Sequence, residues 1–353
     1  MRVLVFGSLN IDRVYTVPHM VRPGETLSST QLQYHCGGKG LNQSIALARA
    51  GLPVCHAGKI GTDGAMLTAH LRRAGVDTAY VLTDPDVPSG HAVIQVDPSG
   101  ENSILVYPGA NAAISSEMVQ NTLSHFTAGD FLLLQNEISC LGELIRQAKE
   151  RGMTVALNPS PISDGLLQCE SLPQVDWFIL NELEGAQFAG SSVPDEICDR
   201  MLSRYPQSKI VLTLGGDGAV YADGKERRRQ PAYPVRVVDT TAAGDTFTGY
   251  FFAGILRGSP PSECLRQANM AAALAVGIIG FVLLPEALVT QLSFDGSPSS
   301  RMPKTVFLPL AFALIAVSAA MYAFPNAQRG RWLCIALILL AAELFAVIYN
   351  LVI

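Results

Sequence analysis

The chain has 353 residues, 49% of them hydrophobic and 16% charged, which is enough to bury a full core and too apolar for general disorder. A formal net charge of -5, with no basic stripe beyond Arg227-Arg228-Arg229, excludes a nucleic-acid footprint and leaves that triplet as a solvated turn. The seven cysteines are scattered and never form a C-x-x-C pair, so they predict neither a disulfide framework nor a zinc site, and they fit a reducing compartment.

From residue 1 to about 276, short apolar runs alternate with longer helical ones, which predicts an α/β domain with a mostly parallel, doubly wound sheet flanked by helices. The first run, residues 3–6, follows Met1-Arg2 directly; it is too short for a signal peptide and has the length of a buried strand. Residues 13–36 and 90–108 break the alternation. They carry Pro-Gly, Pro-Ser-Gly and Asp-Pro turn signals with alternating pieces at 92–96 and 103–107, and they predict a small β-sheet that closes over a substrate as a lid. Between them stands a Gly-rich element, Gly37-Gly38-Lys39-Gly40-Leu41-Asn42-Gln43, which lacks the Walker A spacing.

Further strands are predicted at 131–135, 154–157, 177–180 and 210–214. Polar residues follow each: Asn136 and Glu137, Asn158, Asn181, and Gly215-Gly216, with Asn10 and Asp12 after the first strand. Ligands of doubly wound sheets bind outside the carboxyl ends of the strands, so these groups are expected to converge on one crevice, although any single Asn there suits a turn or a helix cap equally well.

The most informative run is Asp239-Thr240-Thr241-Ala242-Ala243-Gly244-Asp245-Thr246-Phe247, small residues that open a helix and set a carboxylate in its first turn. Open first-turn N–H groups and the helix dipole favour a phosphate there, and Asp245 could take a proton from an attacking hydroxyl. It reads as a phosphoryl-transfer site. Taken alone, the Gly-Asp pair would equally describe an ordinary helix start.

Six elements occur in order: Asn10-Ile11-Asp12, Gly37 to Ala46, Pro108-Gly109-Ala110-Asn111, Leu157-Asn158-Pro159-Ser160-Pro161, Asn181-Glu182-Leu183-Glu184 and the run 239–247. With these the chain closely resembles the ribokinase-like family of carbohydrate kinases over residues 1 to about 276. The resemblance implies ATP-dependent phosphorylation of a sugar hydroxyl, first of all D-ribose to ribose 5-phosphate, with 2-keto-3-deoxygluconate, fructose or a nucleoside as alternative acceptors. It implies Asp245 as the general base and the backbone N–H groups of Ala242, Ala243 and Gly244 as the anion hole.

The same resemblance gives Asn10, Asp12, Gly38, Lys39, Asn42 and Glu137 to the sugar, and Asn181, Thr213, Gly215, Gly218 and Asn269 to the nucleotide. Glu184 would organise Mg2+ through water, a sparse protein contribution that suits magnesium. Asp239 and Thr241 would form part of a monovalent-cation site, with K+ as an activator. A homodimer through the lid sheet and a cytoplasmic kinase domain are further expectations.

The resemblance lapses after Val276, where Gly277-Ile278-Ile279-Gly280 replaces the segment that covers adenine and completes the cation site. Tyr250 also stands where the family has a small residue. A membrane-tethered sugar or nucleotide binder with impaired catalysis is therefore a competing reading. The kinase domain is expected to extend over residues 1–294, followed by a Ser/Pro/Gly-rich linker at 295–304. Residues 305–324 then hold no charge and 332–353 hold only Glu343, so each meets the length of about 20 residues that a membrane-spanning helix needs. The sequence predicts a two-helix transmembrane hairpin at 305–353 that anchors the kinase domain, or an unrelated reading frame fused to it.

Overall fold

The computed structural model describes residues 1–235, 242–283, 287–292 and 298–303. Contacts divide the chain into two compact units, one of residues 1–236 and 240–276, the other of 237–239 and 277–353.

In the first unit the chain begins with β1 (Val3–Phe6), then forms β2 (Asn10–Thr16) and β3 (Gln31–Gly37), and enters helix α1 (Lys39–Arg49). Strand β4 (Val54–Gly61), α2 (Ala65–Arg73) and β5 (Asp77–Asp84) follow, and then the hairpin β6 (Gly90–Val96) and β7 (Asn102–Tyr107). Next come α3 (Ser116–Leu123), β8 (Phe131–Gln135), α4 (Leu141–Glu150), β9 (Thr154–Asn158), α5 (Asp164–Leu167) and β10 (Trp177–Asn181). The unit is completed by α6 (Glu182–Ala189), α7 (Pro194–Arg204), β11 (Lys209–Thr213), β12 (Ala219–Ala222), β13 (Arg227–Gln230), α8 (Ala243–Leu256) and the part of α9 (Pro261–Leu283) that precedes Gly277.

Nine strands make the main sheet in the order β13-β12-β11-β10-β9-β8-β1-β4-β5, parallel except for the two antiparallel pairs at the β13 end. Both faces are covered, and the period of two in a strand sends alternate side chains to opposite sides. Val3 and Val5 of β1 join Leu41, Leu67, Phe247, Phe251 and Phe252 on the face of α1, α2, α8 and α9. Leu4 and Phe6 join Met118, Leu144, Ile145, Ile197 and Met201 on the face of α3, α4 and α7. A strand buried on both sides must be apolar throughout, and this is why β1 reads VLVF without alternation.

The remaining four strands form the predicted small sheet, in the order β3-β2-β6-β7. It begins earlier than the sequence suggested: Asn10 and Asp12 lie within β2 itself, and not in a loop before the lid. These two residues are therefore carried on a hydrogen-bonded ladder, with Asp12 opposite His35 of β3 and Ala92 of β6.

β1 and β8 are neighbours from which the chain proceeds outward in both directions, so their carboxyl ends mark the switch point of the sheet. Helix α1 starts there. Its first turn lies against the backbone of Gly7 and Ser8 so closely that a Cβ on Gly40 would sit 2.5 Å from Ser8 N. Gly38, at φ 94°, turns the chain from β3 into the helix, a conformation that L side chains rarely adopt.

In the second unit the segment predicted as the linker 295–304 contains a strand, Pro298–Pro303, paired antiparallel with Ala287–Leu292. The β-favouring run Ala-Leu-Val-Thr-Gln-Leu supplies a template, and irregular register between Val289 and Leu292 accommodates the proline-bearing partner. Helix α9 runs on to Leu283, past the point at which the family pattern was expected to lapse. The predicted hairpin at 305–353 lies outside the described residues; among the described residues no helix is long and apolar enough to cross a membrane.

Candidate active site

Strand ends and helix starts converge at the carboxyl edge of the main sheet. A cavity of about 230 Å³ is lined there by Lys39, Asn158, Ile179, Leu180, Asn181, Glu184, Thr213, Ala242, Gly244, Asp245 and Thr248. The ends of β9, β10 and β11 thus meet in one crevice with the N-termini of α1, α6 and α8.

Helix α8 opens at Ala242, whose φ of 61° places a non-glycine residue in the left-handed region; Cys140 is the other such residue among the described ones. Among the described residues no side chain caps this N-terminus. An anion is what its first-turn N–H groups and the helix dipole favour. A Cβ on Gly244 would meet nothing within 4 Å among the described residues, so this glycine leaves space on the side of the cavity.

Asp245 is buried in the same turn and is held from α1. Asn42 Nδ2 donates to its Oδ2 at 3.0 Å, and Gln43 Nε2 donates to its Oδ1 at 2.9 Å. Gln43 Nε2 also donates to Asn158 Oδ1 at 3.0 Å, and Gln43 Oε1 accepts from Gln135 Nε2 at 2.7 Å. Asn42, expected as a sugar ligand, is thus also a direct partner of the expected base. Gln43, Gln135 and Asn158 were not assigned to the site from sequence. The available signal was Gln135 itself, an amide ending an otherwise apolar strand, because a buried amide must find partners.

On the switch-point side, Glu137 Oε2 accepts from Lys39 N at 3.1 Å and from the Ser8 hydroxyl, placing a carboxylate at the N-terminus of α1. Asn10 Oδ1 accepts from Asn111 Nδ2 at 2.8 Å, and Asn111 Oδ1 accepts from Leu9 N at 3.0 Å, which makes Asn111, just after the β6–β7 hairpin, a brace. Asp12 is pushed up to about 6 by burial and by the charge of Glu137. Its carboxylate occupies space that Gly37 leaves open, and a Cβ on Gly37 would overlap it. Asn10, Asp12, Gly38, Asn42 and Glu137 do not line the 230 Å³ cavity; Lys39 does, from the same helix start that carries Glu137.

On the nucleotide side, Asn181 and Glu184 form a reciprocal capping box on α6: Glu184 N donates to Asn181 Oδ1 at 2.8 Å and Asn181 N to Glu184 Oε2 at 3.0 Å. The cap fixes Glu184, which among the described residues is the other acidic side chain lining the cavity of Asp245. Thr213 lines it at the end of β11, and Gly215 and Gly218 form the turn beyond, with φ of 53° and 96°. Asn269, buried on α9, donates to the Gln230 carbonyl at 3.4 Å and does not line the cavity. Asp239 and Thr241 lie outside the described residues. Among the described residues no group of three His, Cys, Asp or Glu could cage a metal. One buried carboxylate, Glu184, lining this cavity fits a magnesium ion that keeps its waters and is held mainly by substrate oxygens.

Residues 1–284 match the model of the pfkB family carbohydrate kinases. The chain belongs to that family. This carbohydrate kinase is 36% identical over 280 residues to a ribokinase of Haemophilus influenzae, an alignment covering 77% of the chain and 91% of its relative. Among solved structures it is similar to a Cryptococcus neoformans var. grubii ribokinase in complex with ADP, with 37% identity, a TM-score of 0.67, and coverage of 78% of this chain and 93% of that one. It is also similar to an Arabidopsis thaliana ribokinase complexed with ribose and ATP, with 29% identity, a TM-score of 0.66, and coverage of 78% and 92%. The family match reaches residue 284, a few residues beyond Val276. Tyr250, the other departure from the family pattern, lies on α8 and is half-buried against the core.

Proposed function

We propose that this kinase transfers the terminal phosphoryl group of ATP to the hydroxymethyl oxygen of D-ribose, giving ribose 5-phosphate. The observation that carries the reading is the placement of Asp245, held by two amides of α1, beside the open N-terminus of α8 in a cavity shared with Lys39 and Glu184. As the sugar oxygen attacks phosphorus, its proton passes to the Asp245 carboxylate, the new O–P bond forms and the bond to ADP breaks. The N–H groups of Ala242, Ala243 and Gly244 meet the charge on the transferred group; a lost donor of this kind costs about a hundredfold or more in rate.

Glu184 would hold Mg2+ through water, with Asn181 turned to the nucleotide; when bound, the ion neutralises charge on the phosphates. Thr213, Gly215 and Gly218 supply the nucleotide-side turn, and Asn269 stands behind it. Asn10, Asp12, Gly38, Lys39 and Glu137, with the Asn42 carbonyl, supply acceptors and donors for vicinal sugar hydroxyls. Asp239 and Thr241 retain the role of a monovalent-cation site, which stimulation by K+ over Na+ would support. A coupled ADP-release assay over ribose, fructose, 2-keto-3-deoxygluconate and a nucleoside tests the acceptor: ribose is expected to give the highest kcat/KM, and a higher value for any other sugar overturns the assignment. Asp245→Asn is expected to abolish turnover while ribose binding survives.

A further inference from the structure

Behind the proposed base lies a buried chain of amides that phosphoryl transfer does not itself require. Gln43 and Gln135 are fully buried and Asn158 nearly so. Their polarity is fixed from two ends. An ionised carboxylate accepts only, so the Gln43 amide must turn its NH2 group toward Asp245. Asn158 imposes the same orientation independently: its Nδ2 donates to the Ile179 carbonyl at 2.9 Å, and this leaves Asn158 Oδ1 facing the second N–H of Gln43. With both hydrogens committed, Gln43 Oε1 points the other way and is taken by Gln135 Nε2. The unmet demand is thereby moved to the far end, where Gln135 Oε1 has no partner among the described residues, beside Gly7. A buried orphan acceptor is costly, and its retention at the back of a catalytic carboxylate marks a network set up for orientation.

We propose that Gln43, locked in one orientation by Gln135 and Asn158, is the positioning residue for Asp245. It fixes the carboxylate plane so that a lone pair faces the sugar hydroxyl when that hydroxyl attacks phosphorus. The proposal rests on Asp245 being the base. Gln43 touches neither substrate nor phosphate in this role; it acts through Asp245. Among the described residues, the other charged groups that line the cavity around Asp245 are Lys39 from α1 and Glu184 from α6, with Asn42, Asn158, Asn181, Thr213 and Thr248 as its neutral polar neighbours.

The test uses the full chain with ribose, ATP and Mg2+ and compares Gln43→Met, Gln43→Glu, Gln135→Met and Asp245→Asn, each with a pH profile and a thermal melt. Gln43→Met keeps the length of the side chain and removes its hydrogen bonds. It is expected to lower kcat about ten- to a hundredfold, the scale of a misplaced reacting group, with both KM values nearly unchanged. Gln43→Glu places a second carboxylate against the first and is expected to move the acid limb of the kcat profile upward by about one pH unit or more. Gln135→Met should fall between wild type and Gln43→Met, because Gln43 then keeps its bonds to Asp245 but loses its lock. Wild-type kcat in Gln43→Met, with activity lost in Asp245→Asn, overturns the positioning role while leaving the base intact. Near-normal turnover in Asp245→Asn overturns the base assignment itself. If Gln43→Met shows no cooperative melt, Gln135→Met decides: a fall in kcat at constant KM supports the proposal, and wild-type kcat defeats it.

Discussion

At the residue scale, the site separates glycines required by the fold from glycines that leave room for a ligand. Gly40 cannot carry a Cβ without meeting the backbone of Gly7 and Ser8, whereas one on Gly244 would meet nothing within 4 Å among the described residues. Gly244→Ala is therefore expected to melt at or slightly above the wild-type temperature, since alanine in a helix gains up to about 1 kcal/mol over glycine. The same change should lower kcat/KM at least tenfold, because the methyl group occupies the approach of the phosphate. A normal kcat/KM would show that no substrate comes close to this turn. Asp12 gives a prediction in pH. Its folded-state value, raised to about 6, lies above the unfolded value near 3.8, so ionised Asp12 weighs against the fold, and this cost grows as pH rises from about 4 to beyond 6. Asp12→Asn should accordingly melt higher than wild type at pH 7.5, with the gain shrinking toward pH 4. Protonation removes an acceptor for a sugar hydroxyl, so the wild-type KM for ribose should rise as pH falls through about 6. In Asp12→Asn the KM should be high throughout and flat with pH, and a retained pH dependence would point to a different titrating group.

At the element scale, the site depends on how α1 and α8 meet. Gly249, one turn beyond Asp245, lies on Ala46, and a Cβ there would come within 2.8 Å of the Ala46 and Leu47 backbone. This close approach is what lets Asn42 and Gln43, one turn before Ala46, reach the Asp245 carboxylate. Gly249→Val should part the two helices, break both amide contacts and destabilise the unit by about 1–3 kcal/mol as an overpacked core does. The expected readout is a lower melting temperature together with a fall in kcat, and a loss of stability with kcat unchanged would show that the helix contact does not govern the base. Elements of this kind were only partly legible in the sequence. Apolar runs and their polar ends located β1, β8, β9, β10 and β11, and the ordered motifs singled out Asp245, which lines the crevice, because both are local patterns. The amide chain through Gln43, Gln135 and Asn158 was not legible, since it joins residues 92 to 115 positions apart in the sequence and depends on helix packing that no local pattern records. The start of the lid at Asn10 was missed for a similar reason: β2 follows β1 after three residues, and its strand character comes from pairing with β3 and β6.

At the scale of the whole molecule, the small sheet presents a surface that a single kinase unit leaves uncovered. All six residues of β7 are exposed, and Leu105 is 71% exposed, with Ile104, Val106 and Tyr107 beside it. Tyr34 of β3, at the opposite edge, is 56% exposed. A flat sheet edge with consecutive apolar side chains invites pairing unless it is blocked by charge or covered. β7 carries no charged residue to block it. The homodimer that the family resemblance leads one to expect would place a second copy of the chain over this sheet and hold Asn10 and Asp12, on the same ladder, in a fixed relation to the crevice. Leu105→Asp places a charge at the centre of the exposed run without touching any residue of the proposed site. Light scattering on the eluting protein is expected to change from dimer to monomer mass, and the KM for ribose to rise several-fold while kcat, set by Asp245 on α8, changes little. A wild-type chain that elutes as a monomer at micromolar concentration would remove the second copy from the argument. A monomeric variant with an unchanged KM would instead show that the sheet holds its sugar ligands in place through its own four strands.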